Sequence, residues 1–321
     1  MVDRRRALGV ALAAASACGY GSGPLFAKSV YGAGLDWLAL LYWRFLLAGL
    51  LVWAWALLLP ANRAALRRLP RRRLVALLGL GAFFVGNAGT YYAALEYISA
   101  SLASLIVYMY PALVAVLSIR FGNGLHGRRP WTALAIVTTG VVLTLGGIET
   151  HAELVGLVLI VVSPCLYAVY IILAARLAGE RRGETASERT GGIGAETRPA
   201  VASALMISAT FVVVALLAIA TGEPTVPWRV PGGAWYGLTG IAVFSTALAI
   251  SAFYAGTARI GAAQAALVST VEPVWTITLA TILFGERLSP VQLVGGFLVL
   301  VGVIVAQTTP GATTSAVIEE A

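Results

Sequence analysis

Long apolar runs alternate with short charged connections along the whole chain. A helix needs roughly 20 apolar residues to cross the ~30 Å hydrocarbon core of a bilayer, and each run is close to that length. The runs predict ten transmembrane helices, at residues 7–27, 37–59, 74–95, 100–120, 131–147, 154–176, 200–221, 234–257, 262–284 and 291–307. We therefore predict an all-α integral membrane protein.

The first run poses a separate question, because it follows three arginines, Arg4, Arg5 and Arg6. Arginines before an apolar segment are also typical of a signal peptide. The run continues to about Ala27, which is too long for a typical signal core. We therefore predict that this segment is kept as the first transmembrane helix.

Composition supports the bilayer as the solvent. Of the 321 residues, 59% are hydrophobic and 11% are charged, a balance that a soluble domain with a charged surface does not show. The net charge is +8, but the arginines lie in connections between apolar runs, so we attribute them to membrane topology and not to nucleic-acid binding. Cys18 and Cys165 fall within apolar runs and indicate no disulfide framework.

The connections differ sharply in charge. With ten helices, those on the N-terminal side of the membrane contain eighteen of the 22 Lys and Arg residues, and those on the other side contain Lys28, Arg229 and Arg287. The positive-inside rule then predicts a multi-pass protein of the cell (inner) membrane with both termini in the cytoplasm. Residues 177–199 are predicted to be a flexible cytoplasmic linker, and residues 309–321 a disordered tail.

The two halves of the chain repeat each other. An offset of 162 aligns identical residues, among them Tyr92 with Tyr254, Ala93 with Ala255, Ile98 with Ile260, Ala103 with Ala265, Pro111 with Pro273, Leu117 with Leu279, and Gly140 with Gly302. We predict a first five-helix repeat over residues 1–150 and a second over residues 151–308. Because five is odd, the second repeat enters the membrane from the opposite face, as inverted repeats of secondary transporters do.

The chain resembles the EamA-type branch of the drug/metabolite transporter superfamily. The resemblance rests on the segments from Tyr92 to Pro111 and from Tyr254 to Pro273, on Arg44 with Phe45 and Ala48, and on Phe284, Gly285, Glu286 and Gly302. It implies a bacterial membrane carrier, often an exporter of amino acids or other metabolites. One departure is Gly124, which stands in the first half where the second half has Glu286.

Two ionisable residues lie inside predicted helices. Such residues are costly in hydrocarbon unless they are paired or hydrated, so they are candidates for function. Arg44 lies ~10 Å and Glu272 ~15 Å along their helices, at 1.5 Å per residue. We predict that both face a central cavity, where they either pair with each other or bind the charges of a substrate. The alternatives are a structural tether for Arg44 and a neutral acid that bonds a freed carbonyl for Glu272.

Polar side chains at helical spacing form stripes on several predicted helices. From these stripes we predict further substrate-binding or coupling residues: Tyr20, Asn87, Tyr91, Tyr108, Tyr167 and Ser269. The alternative use of such stripes is close helix packing. Pro111 and Pro273 each remove a backbone hydrogen bond in mid-span, which predicts a bend and a candidate gate, with a purely structural kink as the alternative.

These observations favour a secondary active transporter over an enzyme. The two histidines lie in different connections, and the chain has no Walker-type phosphate loop. A passive channel and a membrane-embedded enzyme without a recognisable motif are the alternatives. We predict alternating access around a mid-membrane cavity, with export of small metabolites such as amino acids. We predict no cofactor and no metal, a small-molecule substrate and the lipid bilayer as partners, and leave open whether the protein is a homodimer.

Overall fold

The computed structural model describes residues 2–121, 129–146, 154–177, 198–250, 252–253, 256 and 268–307. Every regular element within these residues is helical. The predicted linker at 177–199 and the predicted tail at 309–321 lie almost wholly outside the described residues, so both stay predictions.

The first half contains eight helices, two of which are short. Their bounds are α1 Val2–Gly21, α2 Gly23–Gly32, α3 Trp37–Leu58, α4 Pro60–Arg67, α5 Arg71–Tyr97, α6 Ala100–Val107, α7 Tyr110–Phe121 and α8 Arg129–Gly146. The second half contributes α9 Leu154–Leu177, α10 Pro199–Thr221, α11 Ala234–Ala242, α12 Val271–Phe284 and α13 Pro290–Gln307. A 3₁₀ turn at Pro227–Arg229 precedes α11, and a π-helical segment at Val243–Leu248 continues it.

Most helix bounds lie within three residues of the predicted spans. The predicted end of the eighth span, at 257, and the predicted beginning of the ninth, at 262, lie outside the described residues. Three differences lie in the first half. The first span continues through α2 to Gly32, so Lys28 lies in a helix and not in a connection. α4 was not predicted, because its eight residues are too short and too polar to read as a span. The fourth predicted span is interrupted between α6 and α7.

The fold is that of a multi-pass membrane protein. Within the described residues, five stretches are long and apolar enough to cross a bilayer, namely Ala7–Gly32, Trp37–Leu58, Arg71–Tyr97, Leu154–Leu173 and Ala200–Thr221. Five shorter apolar helices accompany them, at Ala100–Val114, Trp131–Thr144, Ala234–Leu248, Val271–Phe284 and Pro290–Val305. The count of ten crossings therefore stays a prediction.

Helices of the two halves pack in pairs that correspond when the halves are exchanged. α5 packs on α9, as α11 packs on α2, and α7 packs on α9, as α12 packs on α1. α3 packs on its counterpart α10, and α8 on its counterpart α13. Corresponding helices of the two halves therefore make corresponding contacts, in agreement with the repeat in the sequence.

Glycines bring α8 and α13 into backbone contact. A Cβ atom on Gly140 would lie 2.6 Å from the carbonyl oxygen of Gly295, and one on Gly302 would lie 3.0 Å from the backbone nitrogen of Val137. These distances leave no room for a side chain. Small residues at helix crossings are the common basis of close packing in membranes, where no hydrophobic force drives helices together.

Candidate functional site

A cavity of about 380 Å³ lies between the two halves. All eight residues predicted to bind or couple substrate line it: Tyr20, Arg44, Asn87, Tyr91, Tyr108, Tyr167, Ser269 and Glu272. The first five of these come from the first half and the last three from the second. The structure thus brings together side chains from five helices, α1, α3, α5, α9 and α12, with Tyr108 and Ser269 from the turns before α7 and α12. The role of these side chains in binding stays a prediction.

Glu272 lies at the beginning of α12, where its carboxylate contacts the first half. The hydroxyl of Tyr108 lies 3.1 Å from Glu272 Oε2 and also donates to the carbonyl oxygen of Ser269. Proline at position 273 has no N–H to donate to the carbonyl four residues earlier, which is that of Ser269. The backbone N–H of Glu272 donates to this carbonyl at 3.0 Å, and the hydroxyl of Tyr108 is its second donor.

Arg44 is buried on α3 and held by neutral groups. Its Nε donates to Thr246 Oγ1 at 3.1 Å, and Thr246 in turn donates to the carbonyl oxygen of Ile241 at 2.9 Å. The guanidinium carbon lies 4.8 Å from the ring centre of Tyr92 and 5.4 Å from that of Phe45. Aromatic faces attract a cation at such distances and stabilise it away from water.

The predicted charges do not form an ion pair with each other. Among the described residues, no salt bridge joins Arg44 to Glu272. Both side chains line the cavity, as predicted, but they do not pair there, and their binding of substrate charges stays a prediction.

A hydrogen bond between halves positions Asn87. Ser163 Oγ, on α9, donates to Asn87 Oδ1 at 3.0 Å. Asn87 is 9% exposed, and a buried amide without a partner would be costly. The bond therefore fixes the amide at the cavity wall where α5 meets α9.

Tyrosines form much of the remaining wall. Ring centres lie 5.8 Å apart for Tyr108 and Tyr110, 4.8 Å for Tyr110 and Tyr167, and 5.9 Å for Tyr167 and Tyr170. Edge-to-face and offset arrangements at these distances are favourable for aromatic pairs. The rings form a continuous surface from the Glu272 contact to α9.

The lining also includes Tyr92, Tyr110, Tyr170 and Thr246, which were not among the predicted site residues. The repeat could have identified Tyr110, because the offset of 162 places it on Glu272, since 110 and 162 add to 272. No sequence signal identifies Thr246, which depends on the local winding of the π-helical segment.

The two predicted kink residues lie at helix beginnings. α7 begins at Tyr110 and α12 at Val271, so Pro111 and Pro273 each fall in the first turn of a new helix. Proline is tolerated in a first turn, where its missing N–H costs no intrahelical bond. For Pro111 the interruption therefore lies just before the residue, and its role as a gate stays a prediction.

Polar contacts join the two halves of the chain near the point where α5 meets α6. Glu286 accepts hydrogen bonds from the backbone N–H groups of Ala100 and Ser101, at 3.1 and 3.0 Å, and from Ser101 Oγ at 2.7 Å. Lys28 Nζ donates to the carbonyl oxygen of Ile98 at 2.7 Å. The carboxylate therefore caps α6 and links the second half to the first.

One end of the cavity reaches the arginine-rich face of the bundle. Its lining includes Ser203, which lies four positions after Pro199, the first residue of α10. Val201 of the same helix packs in a cluster with Leu66 and Leu69, which belong to the arginine-rich segment after α3. The lining therefore extends towards the face that carries most of the arginines.

The contact made by Glu286 gives a testable prediction. Glu286→Ala removes the acceptor for three donors at the beginning of α6, and loss of a helix cap lowers the free energy of unfolding by about 1–2 kcal/mol. We expect thermal unfolding in detergent micelles at a lower temperature, with Glu286→Gln less affected because it keeps one carbonyl oxygen. Unfolding of Glu286→Ala at the wild-type temperature would contradict the capping role.

No group of three His, Cys, Asp or Glu side chains within the described part of the chain is placed to hold a metal ion. The polar chemistry of the cavity comprises one carboxylate, one guanidinium, the Asn87 amide and hydroxyl groups, beside aromatic faces. Such a lining can bind a small polar molecule that carries charges of both signs.

Comparison with known proteins identifies the class. Residues 7–146 and 193–308 match the EamA-like transporter family, so the chain belongs to that family. The two matched segments fall in the two halves of the sequence.

Similar proteins are named as transporters. An uncharacterized transporter of Archaeoglobus fulgidus is 26% identical over 231 residues, which are 72% of this chain and 75% of that protein. The threonine/homoserine exporter RhtA of Escherichia coli is 26% identical over 231 residues, 70% of this chain and 68% of its own length. A solved crystal structure covers 93% of this chain and 96% of its own, with a TM-score of 0.63 and 18% identity, which shows the fold alone.

Proposed function

We propose that the protein is a secondary active transporter that exports small metabolites, such as amino acids, across the cell membrane. Transport proceeds by alternating access around the cavity between the halves. In this proposal the chain crosses the membrane ten times as two inverted five-helix repeats, with both termini in the cytoplasm. The exchange of packing partners between halves supports the repeat, and repeats of this kind place their binding site at their interface.

One observation carries the proposal: the cavity between the halves contains a carboxylate and a guanidinium that do not pair with each other. Glu272 offers a partner for an ammonium group, and Arg44 offers one for a carboxylate. Charge-assisted hydrogen bonds are about twice as strong as neutral ones, particularly in a site of low dielectric. An amino acid is a small molecule that carries both groups.

The relatives support the same class of substrate. RhtA is named as an exporter of threonine and homoserine, both of which are zwitterionic amino acids. At 26% identity the resemblance supports transport of this chemical class without selecting a member of it.

The direction of access fits export. Glu286 and Lys28 make their contacts at one end of the bundle, and the cavity lining extends towards the arginine-rich end. If that end faces the cytoplasm, as the positive-inside rule indicates, substrate would enter the cavity from the cytoplasm, as export requires.

Counterflow in proteoliposomes tests the proposal. Vesicles that contain the purified protein are loaded with one unlabelled amino acid at a time and then diluted into a trace of the same labelled amino acid. A carrier should accumulate label transiently, because exchange is faster than net loss, whereas a channel should only equilibrate it. We expect accumulation for at least one member of a panel that includes threonine and homoserine, with protein-free vesicles as the control. Equilibration without overshoot for every permeant would contradict a carrier.

A further inference from the structure

A second hollow lies outside the cavity, between α4 and the beginning of α5. It has a volume of about 360 Å³ and is lined by Ala61, Ala64, Ala65 and Arg68, together with Leu69, Pro70 and Arg73. The spacing of the first four is i, i+3, i+4 and i+7, so they occupy one stripe of α4 and of the residue that follows it. The hollow exists because three of its lining residues are alanines, which have small side chains, and two arginines lie at its border.

The segment around the hollow is strongly basic. Residues 63–73 contain six arginines, and residues 60–73 contain no acidic residue. Within the described part of the chain, Arg63, Arg67, Arg68, Arg71 and Arg72 form no salt bridge. Like charges this close repel one another, so an anion in the hollow would be bound favourably.

The hollow adjoins a surface that faces lipid. Leu57, Leu58 and Leu59, just before α4, are 48%, 76% and 44% exposed. They lie at the end of α3, which is apolar and long enough to cross the bilayer. The hollow is therefore at the level where the hydrocarbon core gives way to headgroups.

α4 is fixed to the rest of the protein at this level. Leu66 and Leu69 pack against a buried cluster formed by Leu77 of α5 with Val201 and Leu205 of α10. The hollow therefore lies between packed helices and not in a surface loop.

We propose that this hollow binds the headgroup of an anionic phospholipid. The phosphate lies between Arg68 and Arg73, and the acyl chains lie along the exposed leucines at the end of α3. Arginine suits this role because its planar guanidinium donates two parallel hydrogen bonds to a phosphate. The adjoining apolar surface favours a lipid over a free anion, which has no acyl chains to place there. The proposal is independent of the transported substrate.

Native mass spectrometry of the full chain released from micelles tests the proposal. Micelles are doped with equal amounts of phosphatidylglycerol and phosphatidylcholine, and the lipid retained by the protein is counted. We expect the wild type to retain phosphatidylglycerol preferentially. Arg68→Gln should lower that preference about fivefold, which is the effect of one cation near an anionic headgroup. Arg68 is exposed, so its substitution leaves the fold intact.

Two further variants separate a shaped site from general basic charge. Ala64→Phe fills the hollow without changing any charge and should reduce retention as Arg68→Gln does. Arg198→Gln removes an exposed arginine just before α10, outside the hollow, and should retain lipid like the wild type. Equal losses in Arg68→Gln and Arg198→Gln, or wild-type retention in Ala64→Phe, would overturn the proposal.

A soluble anion is tested as the other source of phosphate. Inorganic phosphate or glycerol phosphate, added to the micelles in excess over the lipid, should leave most phosphatidylglycerol in place because neither fills the apolar surface. If either soluble anion displaced the lipid completely, the hollow would be a site for a free phosphate compound and the lipid proposal would be wrong.

Discussion

Glu272→Gln is expected to lower kcat/KM for counterflow of an accepted amino acid roughly 10- to 100-fold. The reason is that glutamine keeps the size and the contact with Tyr108 but removes the negative charge available to a substrate ammonium. A hydrogen bond to a charged group contributes about 1.5–3 kcal/mol, which corresponds to this range. The measurement is the initial rate of labelled exchange in proteoliposomes over a range of substrate concentrations.

Glu223→Gln is the matched control, because Glu223 lies after α10 and outside the cavity. It should transport like the wild type. Wild-type kinetics in Glu272→Gln would show that the carboxylate has no part in binding or coupling.

The pH dependence of exchange by Glu272→Gln tests whether this carboxylate takes up a proton during transport. A proton and a substrate ammonium compete for one carboxylate, so exchange by the wild type should weaken as the pH falls through the range in which Glu272 takes up its proton. Exchange by Glu272→Gln should lose this dependence, since glutamine binds no proton. An unchanged pH profile in the variant would remove any coupling role from Glu272.

Arg44→Gln is the second prediction with a large expected effect, again roughly 10- to 100-fold in kcat/KM. The variant loses the charge that would bind a substrate carboxylate. Arg44→Lys keeps the charge but loses the bond from Nε to Thr246 and the planar contact with Tyr92, so we expect an intermediate loss. Arg229→Gln, in the 3₁₀ turn outside the cavity, is the control and should leave kcat/KM unchanged.

A structural tether and a binding residue differ in substrate discrimination. If Arg44 binds the carboxylate, the wild type should prefer an amino acid to its amide, and Arg44→Gln should transport both at similar rates. A variant that lost stability but kept the full preference would show that Arg44 serves only to hold α3 against the second half.

Much of the candidate site could be predicted because its residues are polar or charged within apolar stretches of the sequence. Arg44 and Glu272 are charged within apolar runs, and the cost of such placement directs attention to them without any structure. Tyr108 and Ser269 lie on polar stripes of the helices that carry the repeated proline. The helical period then suffices to predict that these side chains face inward together.

The partners of these residues could not be predicted in the same way. Arg44 bonds Thr246, which is 202 residues away in sequence, and nothing in either local pattern links them. The sequence did not predict α4 for another reason. This short polar helix is stabilised by packing on α5 and α10 and not by its own periodicity. Both outcomes are set by tertiary contacts that a single sequence does not contain.

The π-helical winding of Val243–Leu248 has a consequence for the charge at the cavity wall. If this segment were an ordinary α-helix, the residues after it would be rotated about the helix axis by about 100° per displaced residue. Thr246 would then lose its hydrogen bond with the Arg44 guanidinium. The position of the neutral hydroxyl that accepts from Arg44 Nε thus depends on the pitch of this helix. In the proposed function, the guanidinium held there would bind the carboxylate of a substrate.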